Sequence, residues 1–245
     1  MLPALYLIPV TLGDTSLSQV LPEYNFEIIK GIRHFIVEEV RTARRFLRQV
    51  DREFDIDGST FYSMGKHALD QQPEGRRMSA AEVYASFLSP LEQGLPVGVI
   101  SEAGCPAVAD PGADIVAIAQ RKGYRVIPLV GPSSMIMAVM ASGLSGQSFA
   151  FNGYLPIDSS DRLKRLKQLE TRAIQEHQTQ LFIETPYRNA KLFEAILAVC
   201  RPQTRLCIAA GITTSVEWIR TFTVAEWKHK TLPDLSKTPA IFLIG

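Results

Sequence analysis

The stretch VGVISEAGCPAVADPGADIVAIAQRKGYRVIPLVGPSS, residues 97–134, decides the fold. Residues 97–101 open it as an apolar run without polar alternation, the mark of a strand buried on both faces. A loop rich in Gly and Pro follows as far as Gly112, then a helix over 113–122 stopped by Gly123. A second strand at 125–130 leads into Gly131-Pro132-Ser133-Ser134 and a helix that ends at Gly143. Strand, loop and helix repeated at this spacing predict a parallel βαβα unit.

Upstream, the apolar run at 5–10 and short strands at 35–37 and 61–63 extend the same sheet. A helix over 38–50 and another opened by Ser79, with Glu82 in the capping-box position, flank it. Downstream the texture changes. Strands at 148–152 and 181–184 enclose an amphipathic helix over 158–178, and strands at 206–210, 216–222 and 240–244 then crowd together. The expected fold is α/β with two α/β domains. The N-terminal domain, 1–146, has a mostly parallel sheet with flanking helices, and the C-terminal domain, 147–245, a mixed sheet. The boundary is expected at 143–147, which holds two glycines and little to bury.

Of the 245 residues, 46% are hydrophobic and 21% charged, enough apolar surface for real cores. Lys+Arg at 26 nearly balances Asp+Glu at 25, so any nucleic-acid contact must come from a local patch rather than a global field. Cys105, Cys200 and Cys207 are too few and too irregular for a disulfide framework or zinc ribbon, which suits a reduced, cytoplasmic setting. The apolar start at 2–12 has no basic residue before it and runs into Gly13-Asp14, so it reads as a first strand rather than a signal peptide. No apolar run reaches the roughly 18 residues of a membrane helix.

Several chemistries are excluded. No GxGxxG follows a predicted strand, and neither a P-loop nor HExxH is present. The four histidines show no metal-ligand spacing, so no metal is expected. Gly131-Pro132-Ser133-Ser134-Met135 lacks the second glycine of a nucleophile elbow.

Three loops remain: 101–112, 131–134 and 151–156. The first two follow strands at the carboxyl end of the parallel sheet, where open α/β sheets bind ligands. Glycine lets backbone approach a ligand closely, and proline stiffens the bend. Ser133-Ser134 places free backbone N–H groups and a capping hydroxyl at a helix start, a seat for a carboxylate. Each loop taken singly reads equally as an ordinary turn.

In order, SEAGCPAVADPG, VIPLVGPSS, SFAFNGYLP and ETPYR resemble the tetrapyrrole methylase superfamily. Within it they are most similar to the 16S ribosomal RNA 2′-O-ribose methyltransferase branch, with its S-D-A-G-T-P-x-x-S-D-P-G, P-x-P-G-P-S, F-x-G-x-L-P and E-S-P-H-R. The segment Val37-Glu-Glu-Val-Arg41-Thr-Ala-Arg44-Arg45-Phe-Leu is similar to that branch's A-E-D-T-R and Arg-rich helix. The resemblance spans residue 5 to the end and is strongest over 97–156. It implies S-adenosylmethionine bound in a cleft between two domains, a homodimer, and ribosomal RNA or the small ribosomal subunit as partner. The positions it carries over to the cofactor are Pro9, Ala103, Gly104, Cys105, Val108, Asp110, Ser133, Ser134, Tyr154, Leu155, Ala210, Gly211, Ile212, Pro239 and Ala240. Arg41, Arg44, Arg45 and Arg188 are the implied substrate contacts.

Three departures bear on substrate. T-P-I-G-N-L stands here as Val10-Thr-Leu-Gly13-Asp-Thr, H-E-H-N-E as Met64-Gly-Lys-His67-Ala-Leu, and R-E-L-T as Ala210-Gly211-Ile212-Thr213. A methylase of a tetrapyrrole precursor and a cofactor-binding protein without catalysis are the alternatives.

A ribose hydroxyl needs a base at neutral pH, and Glu38, Glu39, Glu102 and His67 are the candidates. Each carboxylate reads equally as a solvated or ion-paired surface group, and His67 as a plain loop residue. Arg41, Arg44, Arg45 and Arg48 share one helical face. That face suits RNA phosphates, or a solvated surface in which Glu38 pairs with Arg41. Arg162, Lys164, Arg165 and Lys167 read as the solvated side of a helix.

Overall fold

The computed structural model describes residues 1–64 and 78–245. His67 and most of the substituted 64–69 segment lie outside the described residues. The chain divides into two compact units, Met1–Pro132 and Ser133–Gly245.

The first unit is built on β1 (Leu5–Ile8), β2 (His34–Val37), β3 (Thr60–Ser63), β4 (Val97–Ile100) and β5 (Val126–Pro128), in the order β3-β2-β4-β1-β5. Every pairing is parallel. Its helices are α1 (Leu17–Val20), α2 (Glu23–Lys30), α3 (Val40–Val50), α4 (Ala80–Phe87), α5 (Ser89–Glu92) and α6 (Gly112–Arg121).

The helices sort by the direction of the chain across the sheet. The connections from β1 to β2 and from β2 to β3 run one way, and α2 and α3 share a face, burying Ile29, Phe46 and Leu47 against Tyr6, Ile8, Phe35 and Val37. The connections from β3 to β4 and from β4 to β5 run the other way. There α4 and α6 bury Val83, Phe87, Ile115 and Ile118 against Leu5, Ile36, Val97 and Val99. Right-handed crossovers require this division. Each of these buried side chains contributes about 1.5–3 kcal/mol. The neighbours β1 and β4 send their connections to opposite faces, which leaves a crevice at their carboxyl ends.

The second unit runs α7 (Ser134–Ser142), β6 (Phe149–Tyr154), α8 (Ser159–Gln175), β7 (Thr179–Ile183), a 3-10 turn (Pro186–Arg188), α9 (Asn189–Val199), β8 (Arg205–Ala210), β9 (Trp218–Thr223), α10 (Val224–Trp227) and β10 (Ala240–Ile244). The sheet order is β6-β7-β10-β8-β9. Only β6 and β7 pair in parallel, so this sheet is mixed. Leu166, Leu169, Leu192 and Ile196 from α8 and α9 cover one face, together with Trp227. Trp227 meets Phe222 edge-on at 4.9 Å, and its indole N–H donates to the Leu206 carbonyl at 2.9 Å.

The boundary falls earlier than 143–147. Helix α7 packs on β8, β9 and β10, and the Thr221 hydroxyl donates to the Ser142 carbonyl at 2.7 Å. Gly143 ends α7 in a left-handed cap rather than separating domains. No helix among the described residues is long and apolar enough to cross a membrane.

Candidate active site

At the carboxyl ends of the parallel strands, the loops after β1, β4 and β5 are bound to one another. The Val10 N–H donates to the Gly104 carbonyl at 3.0 Å and the Gly104 N–H to the Thr11 carbonyl at 3.4 Å. Gly104 holds φ at +69°, and a Cβ there would stand 3.0 Å from Leu12 Cδ2 and 3.2 Å from the Pro132 carbonyl oxygen. A Cβ on Gly131 would come within 2.3 Å of the Pro9 ring, so these two turns close only with glycine. The Cys105 thiol donates to the Pro132 carbonyl at 3.4 Å, and burial pushes its pKa up. Buried Asn25 donates to the Val130 carbonyl at 2.8 Å, fixing the loop after β5.

Inside the 101–112 loop, Ala107 and Ala109 take left-handed φ values of 65° and 62°. Strain of that kind persists only where surroundings enforce it. The Asp110 carboxylate does so, accepting from the Ala107 N–H at 2.9 Å and the Gly112 N–H at 2.7 Å. Burial raises its pKa, and those two N–H groups offset part of the rise.

Beside this framework stand the three described candidate bases, in different states. Glu39 caps α3, accepting from the Arg41 N–H at 3.1 Å. Glu102 lies 2.5 Å from the Thr42 hydroxyl. Glu38 accepts a single backbone bond, from the Glu102 N–H at 3.3 Å. Burial is the main cause that raises the Glu38 pKa, and the negative charges of Asp110 and Glu102 add to it. A small cleft of about 120 Å³ opens here, lined by Thr11, Thr42, Arg45, Gln49, Ser101 and Glu102. The Ser101 hydroxyl is buried and has no hydrogen-bond partner among the described residues.

In the second unit, Ala210-Gly211-Ile212 meets Pro239-Ala240. Ala210 pairs with Ala240 across β8 and β10, and the Gly211 N–H donates to the Pro239 carbonyl at 3.1 Å. Tyr154 is exposed at the end of β6, whereas the Leu155 side chain enters the core.

No protein-family model matches the chain. It is 28% identical to the ribosomal RNA small subunit methyltransferase I of Vibrio cholerae serotype O1 over 224 residues, which is 91% of this chain and 70% of that protein. It is 34% identical to the protein of the same description from Mesorhizobium japonicum over 168 residues, 68% of this chain and 56% of that one. Among solved structures, the methyltransferase CobJ aligns with a TM-score of 0.61 at 14% identity, covering 99% of this chain and 93% of that chain. Uroporphyrin-III-C-methyltransferase from Thermus thermophilus aligns with a TM-score of 0.53 at 17% identity, covering 98% and 93%. The chain thus shares the fold of these two methyltransferases and is similar in sequence to the ribosomal RNA small subunit methyltransferases I.

Within that fold, the sequence-expected residues fall into two groups. Pro9, Gly104 and Cys105 are brought together in the first unit, with Ala103, Val108 and Asp110 on the same loop; Val108 is exposed. Ala210, Gly211, Ile212, Pro239 and Ala240 are brought together in the second. Ser133 is the N-cap residue of α7, but its side chain makes no capping bond, unlike the hydroxyl role expected for it. Ser134 begins the helix proper.

The arginines divide. Arg41, Arg44, Arg45 and Arg48 are exposed and, among the described residues, form no ion pair; Arg44 lies over the Phe61 ring at 5.1 Å. The expected Glu38–Arg41 pair does not form, because the Glu38 carboxylate turns to the Glu102 N–H. Arg188 is committed inward, 2.8 Å from the Glu184 carboxylate, whose side chain is 1% exposed. Arg165 and Lys164 are likewise held, by Asn152 and Asp161 at 3.1 Å each.

Sequence reasoning missed Asn25, Thr42 and Ser101. Thr42 and Ser101 sit inside the segments that carry the resemblance, but only their meeting at one cleft, Thr42 from the start of α3 and Ser101 from the end of β4, gives them a role. Asn25 had a signal, as a polar residue one helical turn before apolar Ile28 and Ile29 on the same side of a short helix.

Proposed function

We propose that this protein transfers the methyl group of S-adenosylmethionine to a ribose 2′-hydroxyl of small-subunit ribosomal RNA. The observation that carries the proposal is the half-buried Glu38 carboxylate beside a cleft that also holds the unpartnered Ser101 hydroxyl. The names of the curated relatives supply the substrate.

The residues present fit the cofactor. Gly104 and Gly131 let the loops after β1, β4 and β5 close on one another, and Ser101 offers a buried hydroxyl that lacks a partner among the described residues. Pro9 and residues 103–105, 108 and 110 of the first unit would hold it. When bound, S-adenosylmethionine supplies a methyl group already activated on a sulfonium sulfur. The protein's work is then to orient the acceptor, exclude water and receive one proton.

Glu38 receives it. A ribose hydroxyl is weakly acidic, so a carboxylate with an elevated pKa is a better base than an ordinary one. Thr42 fixes the neighbouring Glu102 side chain, and Asp110 keeps the loop in its strained shape. The exposed arginines of α3 neutralise RNA phosphates. A homodimer acting in the cytoplasm accompanies this reading, on the strength of the sequence resemblance.

The test is incubation of the purified protein with tritium-methyl S-adenosylmethionine and small ribosomal subunits from cells lacking it, followed by alkaline hydrolysis. Label in alkali-resistant dinucleotides is expected, because a 2′-O-methyl group blocks cleavage of the adjoining phosphodiester. Label released only as modified bases, or incorporated only into a tetrapyrrole, overturns the proposal.

A further inference from the structure

A second, larger cavity lies on the first unit, next to the cleft that holds Ser101 and Glu102. Its volume is about 480 Å³, within the roughly 300–1,000 Å³ of small-molecule sites. Gln49 lines both, so the two are neighbours. The larger cavity is walled by Arg48 and Arg52 on one side and by Ser16 and Ser18 on the other, with Phe26 half-buried in its lining. Among the described residues, no carboxylate lines it. Asp51, beside Arg52 in sequence, is turned to Lys30 at 3.5 Å and accepts from the Glu53 N–H at 3.0 Å.

Two guanidinium groups, the three hydroxyls of Thr15, Ser16 and Ser18, an amide and an aromatic ring match one RNA nucleotide. The cations and hydroxyls suit a phosphodiester, and the ring and amide suit an unstacked base. We infer that this cavity seats a nucleotide flanking the methyl acceptor in single-stranded RNA, with Arg48 and Arg52 on its phosphate and Phe26 against its base. The inference rests on the proposed RNA substrate and deepens it. The smaller cleft, lined by Glu102, would take the acceptor's ribose and the larger cavity its neighbour, so register on the RNA is read one nucleotide away from the chemistry.

The experiment measures anisotropy of a labelled single-stranded RNA of about ten nucleotides, within the usual footprint of a binding fold, as a function of salt. Wild type is compared with Arg48→Ala/Arg52→Ala, Arg48→Lys and Phe26→Leu, and S-adenosylmethionine binding is followed by calorimetry. The double variant should lose about tenfold or more in RNA affinity and flatten the log–log salt dependence by about one to two. Arg48→Lys should keep the salt slope, and Phe26→Leu should weaken RNA binding severalfold without changing the slope. Cofactor binding should stay intact throughout. Unchanged RNA affinity and slope in the double variant overturns the cavity assignment while leaving the methyltransferase reading in place. Inorganic phosphate competing as well as RNA, mole for mole, also overturns it. Wild type that binds no RNA yet binds cofactor overturns both.

Discussion

The Glu102 backbone N–H donates to Glu38 Oε1 across 3.3 Å, tying the carboxyl end of β4 to that of β2. That bond orients one oxygen of the only described candidate base that neither caps a helix nor meets a neighbouring hydroxyl. It also places Glu38 in the fields of Asp110 and Glu102.

Glu38 binds a proton more tightly in the folded chain than in the unfolded one. Its stabilising contribution is therefore complete below the unfolded pKa and is lost as pH rises through the elevated folded value. Glu38→Gln keeps an acceptor for the Glu102 N–H and removes the charge. It should raise Tm at neutral pH, with the gain vanishing in acid, while methyl transfer falls by about 10²–10⁴-fold. The acidic limb of the wild-type rate profile should lie above the range of an ordinary glutamate. Calorimetry and a pH–rate series check both.

Gly104 is the tightest point of the loop framework. Gly104→Val forces a β-branched residue to φ +69°, with Leu12 and Pro132 in the way. Strain of about 1–2 kcal/mol is expected from the backbone alone. Cofactor affinity should fall by a further amount, about 1–3 kcal/mol, on the scale of a lost buried hydrogen bond. Titration calorimetry with S-adenosylmethionine reads the second figure, and unchanged affinity would remove this loop from the cofactor site.

Arg188 and Glu184 form a brace rather than an exposed contact. Arg188→Ala leaves a buried carboxylate without its cation, an effect of about 3 kcal/mol or more. Arg188→Lys should recover only part, since an ammonium lacks the planar fork. Urea denaturation distinguishes these outcomes from a purely RNA-contacting arginine, whose loss would leave stability unchanged.

The three thiols differ in reactivity. Burial, with the Glu170 carboxylate adding, pushes Cys200 up to about 12, and burial raises Cys207 and Cys105 as well. Cys105 alone is half-exposed. A thiol reagent at neutral pH should label Cys105 slowly and the other two only after unfolding, and saturating S-adenosylmethionine should slow Cys105 further. Mass spectrometry of the labelled peptides reads the order.

Much of this was legible in the residues. The glycines and prolines of 101–112 and 131–134 declare turns after strands, and the capping box at Ser79 and Glu82 forms as its spacing required. What stayed hidden is long-range. Residues 97–100 are uniformly apolar, so nothing local says that Ile100 faces α3 while Val97 and Val99 face α6. Helix α7 reads as part of the first unit because it follows β5 at crossover spacing, yet the strands it packs on, β8, β9 and β10, all lie beyond residue 200. Glu38, Glu39 and Glu102 look equivalent in sequence. They separate once the Arg41 N–H, the Thr42 hydroxyl and the Glu102 N–H have each taken a carboxylate.

The most direct measurement is nucleoside mass spectrometry of small-subunit ribosomal RNA from a deletion strain complemented with wild type or with Glu38→Gln. A 2′-O-methylnucleoside should be absent from the deletion strain, restored by wild type, and not restored by Glu38→Gln at equal protein abundance. An unchanged set of ribose-methylated nucleosides in the deletion strain would contradict ribose methylation as this protein's activity.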